Sequence, residues 1–177
     1  MTKKYLNDYA VVEVNGKKKL EYHGIVYEID MPPAELRRRK AMLVLNAAAS
    51  AALFVFMGLN GNECTRAPYV GIPYALISIP ALFALTDTAR FFFTGANLKR
   101  VDCEGTLARI LFWPRVCAAA SAASLIGGAA FFLRFPQTFL SEAFFMPTGA
   151  ALLASSILFL KGAKRIRERT REQFCVR

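Results

Sequence analysis

The chain has one histidine and one tryptophan in 177 residues, and its four cysteines form no C-x-x-C pair. His23, without clustered Cys or carboxylates around it in the sequence, reads as a strand-face or turn residue rather than a metal ligand. The missing C-x-x-C argues against a thiol–disulfide membrane enzyme. No G-x-x-x-x-G-K-[ST], H-E-x-x-H or G-x-S-x-G is present either, so the common phosphate-cradle, zinc-helix and nucleophile-elbow solutions have no sequence basis. Acidic residues are few, 13 Asp+Glu against 23 Lys+Arg. Charge of both signs is missing from four stretches of 18 or 19 residues: Ala41 to Leu59, Tyr69 to Thr86, Val116 to Leu133 and Ala143 to Leu160. At 1.5 Å per residue each reaches about 27 Å, close to the roughly 30 Å hydrocarbon core of a bilayer. That segregation counts against a soluble two-layer domain, a disulfide scaffold, a disordered tail and a coiled coil.

The charges that are present sit between these stretches in an alternating pattern. Residues 1–40 hold nine Lys+Arg, residues 90–115 hold five and residues 161–177 hold seven, whereas the two remaining loops hold only Arg66 and Arg134. Basic residues in short loops stay on the cytoplasmic side, so both termini and the middle loop are expected in the cytoplasm of a multi-pass protein of the cell (inner) membrane. A net charge of +10 could also suggest nucleic acid. Topology accounts for it without that partner: these residues fix the helix ends and meet anionic lipid head groups, worth about 1 kcal/mol each near the surface. The segment before Asp30 is polar, and the first apolar run follows Arg37-Arg38-Arg39-Lys40 without a cleavage pattern, so it is expected to remain as an anchor. Cys103 and Cys175 fall inside, Cys117 at the start of the third span and Cys64 outside. No disulfide can join opposite faces of a bilayer, and reduced thiols are expected within the cell.

The expected fold is an all-α integral membrane protein with four transmembrane helices, spanning about 41–59, 69–89, 114–133 and 143–161, behind a small N-terminal cytoplasmic β-hairpin. Residues 1–32 form the hairpin segment, 33–163 the transmembrane domain and 164–177 a basic cytoplasmic tail. Asn15-Gly16 between two β-rich runs is a strong hairpin signal. It sets Tyr9 opposite Tyr22, Val11 opposite Leu20 and Glu13 opposite Lys18, and Gly24 marks a bend before a further strand-like run, Ile25 to Ile29. About 30 residues bury too little surface to stand alone, so this module is expected to pack on the middle loop, the lipid surface or a partner.

Pro32 and Pro33 suit a helix start. Pro73 and Pro80 predict a kinked second span, with Ser78 or neighbouring helices satisfying freed carbonyls. Residues 97–113 suggest a short helix in the interface, with Trp113 anchoring the third span. In that span Ala119, Ala123 and Gly127 form one small-residue stripe and Ala120, Ser124 and Gly128 another, suited to close helix contact. Ala150 and Ala154 repeat this weakly in the fourth span, and Lys164 and Glu168 are spaced to pair in the tail.

The segment Cys64-Thr65-Arg66-Ala67-Pro68-Tyr69-Val70-Gly71-Ile72-Pro73-Tyr74 resembles a pattern of small four-helix bacterial membrane proteins that lack an assigned activity. The resemblance lies in a short β-like cytoplasmic segment, a basic run before the first helix and Tyr-Val-x-x-Pro-Tyr opening the second. It implies the architecture and no catalytic residue, cofactor or metal.

Asp87 and Arg90 are spaced to share a helix face and form a candidate functional ion pair. The alternative is an interfacial pair whose long side chain snorkels to fix the helix register. Asn46, Ser78, Ser121, Ser124, Ser155 and Ser156 are the polar candidates for a transport route, and serines at such depth more often serve packing. The sequence therefore leads to a non-catalytic accessory or scaffold subunit, associated with a membrane-protein partner or with copies of itself. The alternative is a small transporter or oligomeric channel built on the second helix and Asp87. A membrane enzyme using Cys103, Cys117 or Cys175 is the third reading.

Overall fold

The computed structural model describes residues 8–14, 17–59, 63–138 and 144–173. Strands β1 (Tyr9–Val14) and β2 (Lys17–Tyr22) pair antiparallel in the expected register, with Tyr9 opposite Tyr22, Val11 opposite Leu20 and Glu13 opposite Lys18. The Asn15-Gly16 turn lies outside the described residues. Tyr9 and Tyr22 meet edge to face at 5.2 Å.

Strand β3 (Val26–Ile29) leads to α1 (Pro33–Leu59), where Pro33 begins the helix and Glu35 lies in its positive first turn, 2.6 Å from Arg39. The second span is two helices, α2 (Pro68–Leu76) and α3 (Ser78–Phe93), interrupted at Ile77. Pro80 has no amide proton for the carbonyl of Leu76, and the Ser78 hydroxyl donates to the Ala75 carbonyl at 2.7 Å. Next come a short strand β4 (Asn97–Lys99), the turn α4 (Arg100–Asp102), a π-helical turn (Cys103–Leu107) and α5 (Ala108–Arg134). The last described elements are α6 (Phe145–Glu168) and strand β5 (Thr170–Gln173).

Four helical segments are long and apolar enough to cross a membrane: Pro33–Leu59, Pro68–Phe93, Arg100–Arg134 and Phe145–Glu168. Each packs on two others, in the cyclic order α1, α2–α3, α5, α6. Only glycine admits two of the closest approaches. Pro73 leaves the Tyr69 carbonyl without its helical donor, and Gly127 lies against that oxygen, where a Cβ would stand 2.7 Å away. Gly128 faces the Phe145 ring of α6, also at 2.7 Å.

Three sequence expectations are corrected. The chain is not purely helical behind a hairpin, because β3 pairs with β4 on one side and β5 on the other, both antiparallel. The basic stretch from residue 164 is not a separate tail: α6 runs through it to Glu168, with Lys164 and Glu168 at 3.8 Å, and the chain then becomes strand in the sheet. Residues 97–113 are not a separate surface helix, since the helix beginning at Arg100 continues through Pro114 for 35 residues, about 52 Å. Roughly its first 16 residues extend beyond the charge-free part.

The sheet end thereby acquires a core layer of its own. Ile29, Leu98 and Leu107 are buried there with Leu36, Phe91, Phe159 and Ile166. Removing such side chains from water contributes about 1.5–3 kcal/mol for each large one. The β1–β2 hairpin is tied on by Tyr22, whose oxygen accepts the Arg100 amide at 3.0 Å and whose hydroxyl donates to the Ile25 carbonyl at 2.8 Å. Burial pushes the Tyr22 phenol above its ordinary range, the Arg100 amide opposing that shift.

Candidate functional site

Between the helices the polar side chains bond to their own helix or to one neighbour. Asn46 donates to the Met42 carbonyl at 2.9 Å, Ser121 to Cys117 at 2.8 Å and Ser156 to Leu152 at 3.0 Å. Ser50 and Ser155 bridge α1 and α6 at 3.0 Å, and Ser155 also reaches the Asn46 carbonyl at 3.2 Å. Ser124 is the exception: its buried hydroxyl has no hydrogen-bond partner. The space among Ala47, Ser50, Cys117 and Ser156 is about 10 Å³, at the threshold for a single water. The bonds of Ser155 to Ser50 and to the Asn46 carbonyl join α1 to α6, at about 0.6 kcal/mol each.

The small-residue stripes divide between interior and surface. Ser124, Gly127 and Gly128 are buried and Ala120 is half-buried, whereas Ala119 and Ala123 are exposed. Ala119 and Ala123 therefore face away from the bundle, while Gly127 of the same stripe packs inside it. Ala150 and Ala154 are exposed as well. The helical turn explains the division: Cys117, Ser121, Ser124 and Gly128 form the inward face of α5, with Ala119 and Ala123 behind it.

The anticipated Asp87–Arg90 pair is replaced by another. Asp87 lies on the buried face of α3 with Ala84, Thr88 and Phe91, 3% exposed. Arg90 is exposed on that helix, while Asp87 Oδ2 lies 3.6 Å from Nε of Arg109 on the facing α5. Residues three apart on a helix differ by about 60° in direction, enough to separate an inward Asp87 from an outward Arg90. Oδ2 accepts no hydrogen bond, so the link to Arg109 is electrostatic.

Arg109 also borders a cavity of about 720 Å³ at the sheet end between α5, the end of α6 and the sheet. Three guanidinium groups, Arg109, Arg115 and Arg167, share its walls with Tyr27 of β3 and Thr170 of β5. The apolar lining comes from Leu107, Leu111 and Phe112. Among the described residues Glu104 is the carboxylate that lines it, and Arg100 holds it at 2.9 Å. Cys103 lines the same space through the π-helical turn. Cys117 is buried mid-bundle, where its sulfur accepts from Ser156 at 3.5 Å, and Cys175 lies outside the described residues. Among the described residues no three His, Cys, Asp or Glu side chains gather as a metal-binding group.

The pairing of Arg109 with Asp87, and the assembly of the cavity, were missed by sequence reading. Leu107, Ile110, Leu111 and Pro114 are the buried side of this part of α5, but residues 97–113 look like an amphipathic surface helix until the sheet closes over them.

These elements define a four-helix protein of membrane-spanning dimensions with a mixed-origin sheet at one end. Comparisons with protein-family models, curated proteins and solved structures find no match to this chain.

Proposed function

We propose that this chain is an integral protein of the cell membrane, with both termini and the sheet end in the cytoplasm, acting as a non-catalytic accessory or scaffold subunit of a membrane complex. The orientation rests on charge: residues 1–40, 90–115 and 161–177 carry nine, five and seven basic residues in the sequence, their described parts lie toward the sheet end, and the other two loops carry one each. The subunit role rests chiefly on one observation: Ala119 and Ala123 are exposed on the outside of α5, while most interior hydroxyls are hydrogen-bonded inside the bundle. Small residues on an outer helix face permit the close backbone approach that membrane helices use to associate.

The test is an Ala123→Phe variant purified from membranes in mild detergent beside the wild type. A scaffold subunit co-purifies with a stoichiometric companion or copy of itself, and the variant loses that companion while keeping its helical content. A monomeric wild type that carries substrate flux in liposomes would overturn the proposal.

One observation favours a transporter as the second reading: Asp87 is a buried carboxylate whose Oδ2 lacks a hydrogen bond, in a span interrupted at Ile77. Asp87→Asn separates the two. A transporter loses flux while folding normally; a scaffold retains its assembly.

A further inference from the structure

We propose that the cavity between the sheet and the projecting part of α5 binds the anionic phosphate head group of one membrane lipid. This rests on the membrane-spanning reading above and is independent of the scaffold role. The cavity, about 720 Å³, falls in the 300–1,000 Å³ range of small-ligand sites. Its charge is one-sided. Glu104 is engaged by Arg100, and Arg109 is balanced from behind by Asp87. Among the described residues Arg115 and Arg167 line the walls without a carboxylate partner, and both are exposed. Planar guanidinium forks match phosphate oxygens in geometry as well as charge.

Depth in the membrane selects a lipid over a soluble anion. Arg115 directly precedes the charge-free stretch that starts at Val116. Arg109 lies about 9 Å further out along the helix, and Arg167 about 10 Å beyond the end of the α6 charge-free stretch at Leu160. The polar layer on each side of a bilayer is roughly 5–8 Å thick, so arginine side chains from these positions reach back into the phosphate level. Leu107 and Leu111 are buried in the sheet-end core, and Phe112, 53% exposed, is the apolar surface within one turn of Arg115. A free phosphate uses only the guanidinium groups. A lipid uses those and sends its acyl chains into the bilayer beside the charge-free stretch that starts at Val116. Asp87 is a positioning residue here, acting through Arg109.

The full chain is placed in vesicles of phosphatidylcholine with and without phosphatidylglycerol, floated, and then released from mixed nanodiscs for native mass spectrometry. The expected result is one phosphatidylglycerol retained in preference to phosphatidylcholine. Arg115→Gln with Arg167→Gln lowers that occupancy about 25-fold, about fivefold for each arginine, and either single variant about fivefold should the double variant fold poorly. Arg66→Gln with Arg134→Gln, toward the opposite end, leaves it unchanged. Equal retention of both lipids, or unchanged selectivity in the Arg115 and Arg167 variants, overturns the site while the floated protein keeps the membrane reading. Displacement by inorganic phosphate as effective as by phosphatidylglycerol overturns the lipid assignment in favour of a soluble anion. Failure to float with either vesicle overturns the membrane reading and the site together.

Discussion

Lys40 belongs to a run of four basic residues, yet only it is removed from solvent, 3% exposed. Its ammonium donates to the Thr94 carbonyl at 2.7 Å, the Gly95 carbonyl at 3.2 Å and the Thr94 hydroxyl at 3.3 Å, and it stands 4.5 Å over the Phe91 ring. Thr94 and Gly95 follow the C-terminus of α3, where carbonyls lack helical partners and a cation is favoured. Replacing Lys40 with methionine keeps the apolar stem and removes the charge. Each carbonyl left without its donor costs about 1 kcal/mol at this half-buried position. The helix-end interaction contributes about 0.5 kcal/mol, and the ring contact about 0.5–1 kcal/mol. Recovered desolvation of the ammonium offsets part of this, leaving a destabilisation of about 2 kcal/mol. Arg38→Met, on the exposed side of the same turn, should change stability by less than about 0.5 kcal/mol. Reversible unfolding of the purified protein by SDS titration in mixed micelles measures both. A Lys40→Met variant as stable as Arg38→Met would refute the assignment of Lys40 as the tie between α1 and the end of α3.

Two further outcomes follow from packing. Gly127→Ala sets a methyl against the Tyr69 carbonyl and should destabilise by about 1–3 kcal/mol, whereas Gly105→Ala, with open space around it, should be neutral; the same titration compares them. Glu28→Pro in the central strand removes an amide from a sheet that holds both β4 and β5, so limited trypsin digestion should reach Lys99 and Arg169 faster than in the wild type, and unchanged cleavage would contradict the sheet.

The buried faces of the helices were partly legible. Leu36, Lys40, Leu43, Ala47 and Ser50 recur at helical spacing and form one buried face of α1. That period alone separates Lys40 from Arg37, Arg38 and Arg39; the eye groups the four because they are adjacent. Asp87 likewise keeps phase with Ala84 and Phe91, but no local pattern says that the opposing cation comes from position 109. The two outer strands are beyond local reading. β4 has three residues, Asn97–Lys99, and β5 has four, Thr170–Gln173, rich in polar and charged side chains. Such segments have no strand preference of their own and become strands only because β3 offers two free edges.

What the sequence determined by itself is where the long apolar helices lie and how the hairpin pairs. Both follow from local physics: a charge is costly in hydrocarbon and therefore absent from a span, and a two-residue Asn-Gly turn sets the register of the strands it joins. What the tertiary structure decided is which groups meet. The union of residues 26–29, 97–99 and 170–173 in one sheet, the link from Asp87 to Arg109 and the cavity bordered by Arg109, Arg115 and Arg167 join residues far apart in the chain. Contacts of that kind depend on the angles and depths at which helices pack, and adjacency in sequence carries no record of them.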